Sequence, residues 1–309
     1  MPNKEYKRFF PFCPGIPWKI EYGKYVIPSV TYDTWCSKIR DKEFVVVCYG
    51  SLFETLVSLS CAETLLSLEN KPVFWIGNKK YYPLINTNGL FKISVVNLTK
   101  KRTEKYPTPV FFDRENRCYF NILNNYKLRR NWYGKHPWPN KKPAIQQAFD
   151  NCLLPWSNHL PVLRNKKEND KINRKSKNIF IIVDSSDNSS LDWSIQQIKE
   201  FSAMVSPRGF QVIVFSKNIY SFAGTRILAL PYDELLIIND LDKAFMVLST
   251  NIEWLLISLL LSNAHLVCLN VFIEMFDLFK NAEFIGASNP ITVENDSLSP
   301  LDVFKICVG

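Results

Sequence analysis

The chain is 309 residues long, 47% apolar and 14% aromatic, which suffices for two packed cores and excludes global disorder. Its formal charge of +9 suits an anionic partner such as nucleic acid, lipid or a phosphorylated substrate. The Lys and Arg residues are scattered, however, with local concentrations at 100–102, 129–142 and 164–177, and solvated surface and linker charge is the simpler reading. The eight cysteines contain no CxxC pair, and His136, His159 and His265 share no ligand spacing. Reduced, buried thiols of a cytoplasmic protein are expected, without a metal site.

Residues 1–8 are charged with no apolar core behind them, so no secretory signal is expected. Residues 1–40 combine Pro2, Pro11, Pro14, Pro17 and Pro28 with Phe9, Phe10, Phe12, Trp18, Tyr22, Tyr25, Tyr32 and Trp35. Proline at that density forbids a regular helix, and the aromatics oppose a solvated tail. The stretch reads as an arm packed either on its own domain or on a protein partner.

Residues 45–59 pass from a β-branched apolar run through Gly50 and Ser51 into a helical pattern that extends to Leu68. This predicts a buried parallel strand followed by a helix carrying Glu54 in its first turn, at a strand's carboxyl end, where open α/β sheets bind ligands. A second strand at 71–77 completes a βαβ unit and implies a parallel sheet. Residues 81–85 and then a strand-like segment at 91–98 follow. Residues 103–142 mix aromatics with Lys127, Arg129, Arg130, Trp132, Tyr133 and His136, which suits a long ordered loop or, alternatively, a surface for single-stranded nucleic acid or sugar phosphate.

A helix is expected at 144–154, and the charged, almost apolar-free run 164–177 is the best domain boundary. Beyond it come strand 179–183, polar turn 184–190, helix 193–205, strand 211–215, strand-like 226–230 and 235–238, helix 252–261 and strand 266–269. Residues 254–273 carry no formal charge over a membrane-span length, yet Ser258, Ser262, Asn263, His265 and Asn270 interrupt them. A buried helix and strand fit better than a transmembrane segment. The resulting architecture is α/β: the arm 1–40, a Rossmann-like domain 41–160, a charged linker 161–177 and a second Rossmann-like domain 178–309.

The segment Tyr49-Gly50-Ser51-Leu52-Phe53-Glu54-Thr55-Leu56 resembles the turn G-x-[IL]-G-D-x-[IL] of the ADP-heptose:lipopolysaccharide heptosyltransferase family, with Phe53 for a glycine and Glu54 for the aspartate. Trp193 after the turn Ser185-Ser186-Asp187-Asn188-Ser189-Ser190 resembles that family's K-x-W motif, with Leu191 in place of the lysine. Residues 250–262 match the register of a third signature, [ND]-D-[ST]-G-x-x-H-[IL]-A-x-x-L-G. Here Asn251 replaces the aspartate, Glu253 the glycine and Leu256 the histidine. The resemblance spans roughly 43–270 and implies a GT-B glycosyltransferase, two doubly wound domains facing a cleft.

That resemblance implies inverting, metal-independent transfer from a nucleotide sugar to a glycan acceptor, with no cofactor beyond the nucleotide sugar as co-substrate. Glu54 is the implied base that takes the acceptor's proton, beside the turn residues Gly50 and Ser51. Ser185, Ser186, Ser189, Ser190, Ser249, Thr250 and Asn251 are the implied donor contacts. Losing the lysine and the histidine removes electrostatic support for the departing diphosphate. A catalytically inactive GT-B-like interaction or structural subunit, including one of a viral assembly, is therefore an equal alternative. A nucleic-acid-associated glycosyltransferase is less favoured. Location is expected to be cytoplasmic, with peripheral membrane attachment or a viral particle left open.

Overall fold

The computed structural model describes residues 44–48, 50–69, 73–77, 79–81, 83–84, 110–113, 118–121, 143–152, 154–156, 176–183, 193–217, 219–269, 275–293 and 298–308. The arm 1–40, the strand-like segment 91–98, the basic aromatic set 127–136, most of the charged linker and the turn 184–192 lie outside the described residues. The chain divides into two compact units, Met1–Leu163 and Arg164–Gly309.

In the first unit β1 (Phe44–Cys48) leads into α1 (Leu52–Glu69) and β2 (Val73–Gly77), and β1 pairs with β2 in parallel. The expected βαβ unit is present. The sheet then departs from the all-parallel expectation: β3 (Val110–Asp113) lies antiparallel to β1 and β4 (Cys118–Asn121) antiparallel to β3, in the order β2-β1-β3-β4. The long-loop reading of 103–142 is thus corrected, because two short runs rich in aromatic residues sit close enough for a tight antiparallel connection. A helix, α2 (Ala144–Asn151), packs on α1, and Cys61 and Cys152, both buried free thiols, meet there.

Helix α1 is buried on every side from Leu52 to Leu65, polar residues included. Its hydroxyls bond back along the helix: Thr55 Oγ1 donates to Ser51 O at 3.0 Å, Ser58 Oγ to Glu54 O at 2.6 Å and Ser60 Oγ to Leu56 O at 3.1 Å. A polar side chain that is satisfied locally can enter a core without a distant partner.

The second unit is an all-parallel six-stranded sheet in the order β10-β9-β8-β5-β6-β7. Its strands are β5 (Asn178–Ile182), β6 (Gln211–Ser216), β7 (Leu228–Pro231), β8 (Ala244–Ser249), β9 (His265–Cys268) and β10 (Ile291–Thr292). The helices are α3 (Ile195–Val205), α4 (Glu234–Asp240), α5 (Ile252–Leu261), α6 (Met275–Ile285) and α7 (Pro300–Val308). Ile179 and Ile181 join Phe201, Val205 and Val303 under α3 and α7 on one face. Neighbouring Phe180 and Ile182 are also buried, as a sheet covered on both faces requires.

Two sequence expectations change here. Residues 235–238 are helical, because Asp233 Oδ1 accepts from the backbone N–H of Leu235 at 2.8 Å and of Leu236 at 3.1 Å, which starts α4. Strand β8, absent from the sequence reading, lies in the middle of the sheet. Helix α5 is buried from Trp254 to Leu261 and ends before β9, which accounts for the uncharged run. Among the described residues no helix is long and apolar enough to cross a membrane.

Candidate functional site

At the start of α1, Ser51 occupies the cap position and Glu54 stands three residues on. Glu54 Oε2 accepts from the Ser51 backbone N–H at 2.6 Å, and Ser51 Oγ accepts from Glu54 N–H at 3.4 Å. This reciprocal pair is a capping box, which closes two of the donors that a helix start leaves open. Glu54 is 1% exposed. A Cβ on Gly50 would stand 1.7 Å from Glu54 Oε2, so only glycine lets the carboxylate fold back over the turn. Gly50, Ser51 and Glu54 thus form one interlocked unit.

The carboxylate also acts on its neighbour. The Cys48 thiol is pushed up to about 11, first by burial and then by the Glu54 charge, against hydrogen bonds from Gly50, Thr55 and Ser58 that favour the thiolate.

In the second unit the chain runs from β5 outward through β6 to β7 and then returns to the other side of β5 as β8. The carboxyl ends of β5 and β8 therefore flank a topological switch point, the place where open α/β sheets take ligands. Ser249, Thr250 and Asn251 follow β8 at that point. Ser249 Oγ donates to Ile182 O at 3.4 Å, tying the two strand ends together, and accepts from Asn251 N–H at 3.0 Å. Asn251 caps α5 by accepting the Glu253 N–H at 2.9 Å. Ser185, Ser186, Ser189 and Ser190, together with Leu191, follow β5 in sequence but lie outside the described residues.

Helix α5 is poor in anion-binding features. The Asn251 side chain takes the Glu253 N–H, Asn251 O accepts from Trp254 and Leu255, and Glu253 adds negative charge to the first turn. Leu256, at the position of the family's histidine, is 0% exposed and belongs to the packing of the helix.

One cluster escaped the sequence reading. Lys217 directly follows β6 and Tyr232 directly follows β7; Lys217 Nζ lies 5.5 Å from the Tyr232 ring centroid, and Tyr232 OH accepts from Trp254 Nε1 at 2.9 Å. The available signal was position alone, since each of the two residues immediately succeeds a parallel strand. Among the described residues no group of three His, Cys, Asp or Glu side chains could hold a metal ion.

Fold and topology are those of a GT-B-like α/β protein. Among solved structures, E. coli ADP-heptose LPS heptosyltransferase II matches with a TM-score of 0.53 at 11% identity, covering 84% of this chain and 96% of that one. E. coli heptosyltransferase WaaC with ADP matches with a TM-score of 0.50 at 10% identity, over 84% and 96% of the two chains. No protein-family model and no curated protein matches the chain. At such identity the likeness is one of fold.

Proposed function

We propose that this chain is a glycosyltransferase-like protein that has kept the nucleotide-sugar architecture and given up transfer, serving as a binding or interaction subunit. The observation that carries this reading is the Glu54 carboxylate, 1% exposed and held on the Ser51 N–H at 2.6 Å. A general base needs hydrogen-bond reach to the hydroxyl it deprotonates. A carboxylate turned into its own helix cap, in the space that Gly50 leaves by lacking a Cβ, serves the fold.

The second unit supports the same reading. Leucines stand at 191 and 256 where the resembled family has a lysine and a histidine. Each charge-assisted hydrogen bond to phosphate is worth about 1.5 to 3 kcal/mol, so two losses weaken a diphosphate by roughly two to four orders of magnitude. The second reading, inverting and metal-independent transfer with Glu54 as base, is favoured by one feature: Ser249, Thr250 and Asn251 sit at the switch point, where a donor's phosphates would lie.

Calorimetric titration of the full chain with ADP and a panel of nucleotide sugars, run beside an assay for released nucleoside diphosphate, tests the proposal. Weak binding without release is expected. Turnover that disappears in Glu54→Gln while the unfolding midpoint stays fixed would overturn it and establish Glu54 as the base.

A further inference from the structure

At the amino-terminal edge of the second unit's sheet, the end opposite Ser249 and Asn251, a cavity of about 270 Å³ lies between α3 and the segment entering β7. Helix α3 runs from the carboxyl side of β5 to the amino side of β6, so its last turns reach this edge. Lys199 and Ser202 of α3, with Ser206 at its C-cap, line the cavity at the spacing that stacks side chains along a helix. Thr225, Arg226 and Ile227 line it from the other side.

The walls are fixed. Thr225 Oγ1 donates to Phe222 O at 2.6 Å and accepts from Ile227 N–H at 3.3 Å, while Gln211 Nε2 donates to Arg226 O at 3.1 Å. Ser206 Oγ donates to Ser202 O at 2.7 Å.

Three donors remain without a partner among the described residues. Ser202 is 4% exposed, and its hydroxyl forms no hydrogen bond among the described residues. A buried hydroxyl in that state is costly, and it calls for a ligand in the space it faces. Neither Lys199 nor Arg226 takes part in an ion pair among the described residues. The acid of α3, Glu200, is exposed and does not line the cavity.

We propose that this cavity binds the phosphate group of a small phosphomonoester, with Arg226 and Lys199 supplying charge and Ser202 a buried hydroxyl donor. A planar guanidinium presents paired N–H groups to two phosphate oxygens, and an ammonium adds a point charge. The volume exceeds that of phosphate with a few waters, each about 30 Å³, and leaves room for an organic group against Ile227. The C-terminal end of a helix disfavours an anion, but two of the α3 carbonyls there are occupied: Ser206 Oγ bonds Ser202 O and Phe210 N–H bonds Val205 O. The residual dipole effect is smaller than one charge-assisted hydrogen bond.

The test is calorimetric titration of the full chain with inorganic phosphate and with phenyl phosphate, alongside flotation with phosphatidic acid vesicles. Both soluble probes should bind, phenyl phosphate more tightly. Arg226→Gln should weaken binding about tenfold or more, as loss of a charge-assisted hydrogen bond implies. Ser202→Ala should weaken phosphate binding while leaving ligand-free stability equal or higher, since it deletes an unsatisfied hydroxyl; a purely structural serine would lower stability instead. Undiminished binding in the Lys199→Gln, Arg226→Gln double variant would overturn the proposal. So would binding to vesicles without binding to soluble phosphomonoester, or no binding at all.

Discussion

Replacing Glu54 by alanine removes the acceptor that closes the start of α1. The lost bond is a charge-assisted one at 2.6 Å, worth about 1.5 to 3 kcal/mol, and the carboxylate also complements the helix dipole by about 0.3 to 1 kcal/mol. Glu54→Ala should therefore cost about 2 to 4 kcal/mol. Glu54→Gln keeps an oxygen at the same reach and should cost about 1 kcal/mol, the difference between a charged and a neutral acceptor. Gly50→Ala should be nearly as harmful as Glu54→Ala, because its Cβ would stand 1.7 Å from Oε2 and expel the carboxylate. The two substitutions break one interaction, so the double variant should be far less destabilised than the sum. Urea unfolding followed by circular dichroism measures all four proteins. A Glu54→Ala cost under about 0.5 kcal/mol, or full additivity with Gly50→Ala, would refute the capping role.

Leu256→His restores the histidine of the resembled family at a position that is 0% exposed. The exchange should cost about 2 to 5 kcal/mol in thermal or urea unfolding and bring no gain in nucleotide-sugar affinity by calorimetry, because the imidazole enters an apolar core. His265 is half-buried with Nε2 2.7 Å from Thr292 Oγ1, and burial holds its imidazole below the ordinary 6.5. The unfolded chain then takes up the proton first, so stability is fully present above about pH 6.5 and declines as pH falls below it, until the folded-state value is passed. His265→Gln should flatten that slope in urea midpoints measured between pH 5 and 7; an unchanged slope would assign the acid sensitivity to other groups.

The second sheet was readable where strands are apolar and bounded by turns: 179–183 and 266–269 differ from β5 and β9 by a residue or so at their ends. Helix 252–261 was read with the bounds of α5. Strand β8 was missed because Ala244-Phe245-Met246-Val247-Leu248-Ser249 follows the equally apolar 235–238 with only a short break. A short apolar run does not reveal its period, and the local Asp233 cap that makes its neighbour helical, two and three residues away in sequence, is the signal that separates the two runs. Around Glu54 the sequence S-x-x-E already contained the capping box, and the family resemblance drew attention to a catalytic role for the same carboxylate. What decides between them is the direction of the side chain, which spacing alone leaves open. The phosphate cavity was illegible for a different reason: Lys199 and Arg226 lie on separate elements, and the parallel pairing of β6 with both β5 and β7 brings them together.

The position of β8 beside β5 carries a consequence for how the chain reaches its native state. The central strand of the second sheet is made early, yet one of its two edges stays open until a partner 67 residues further along arrives, the separation spanned by the Ser249 Oγ bond to Ile182 O. Until then the β5 edge offers unpaired N–H and C=O groups flanked by Ile179, Phe180, Ile181 and Ile182. Closing so long a loop before its contacts are rewarded slows folding and lengthens the exposure of that edge. During synthesis, the vulnerable interval of this unit is the time between the emergence of Ile182 and that of Ser249.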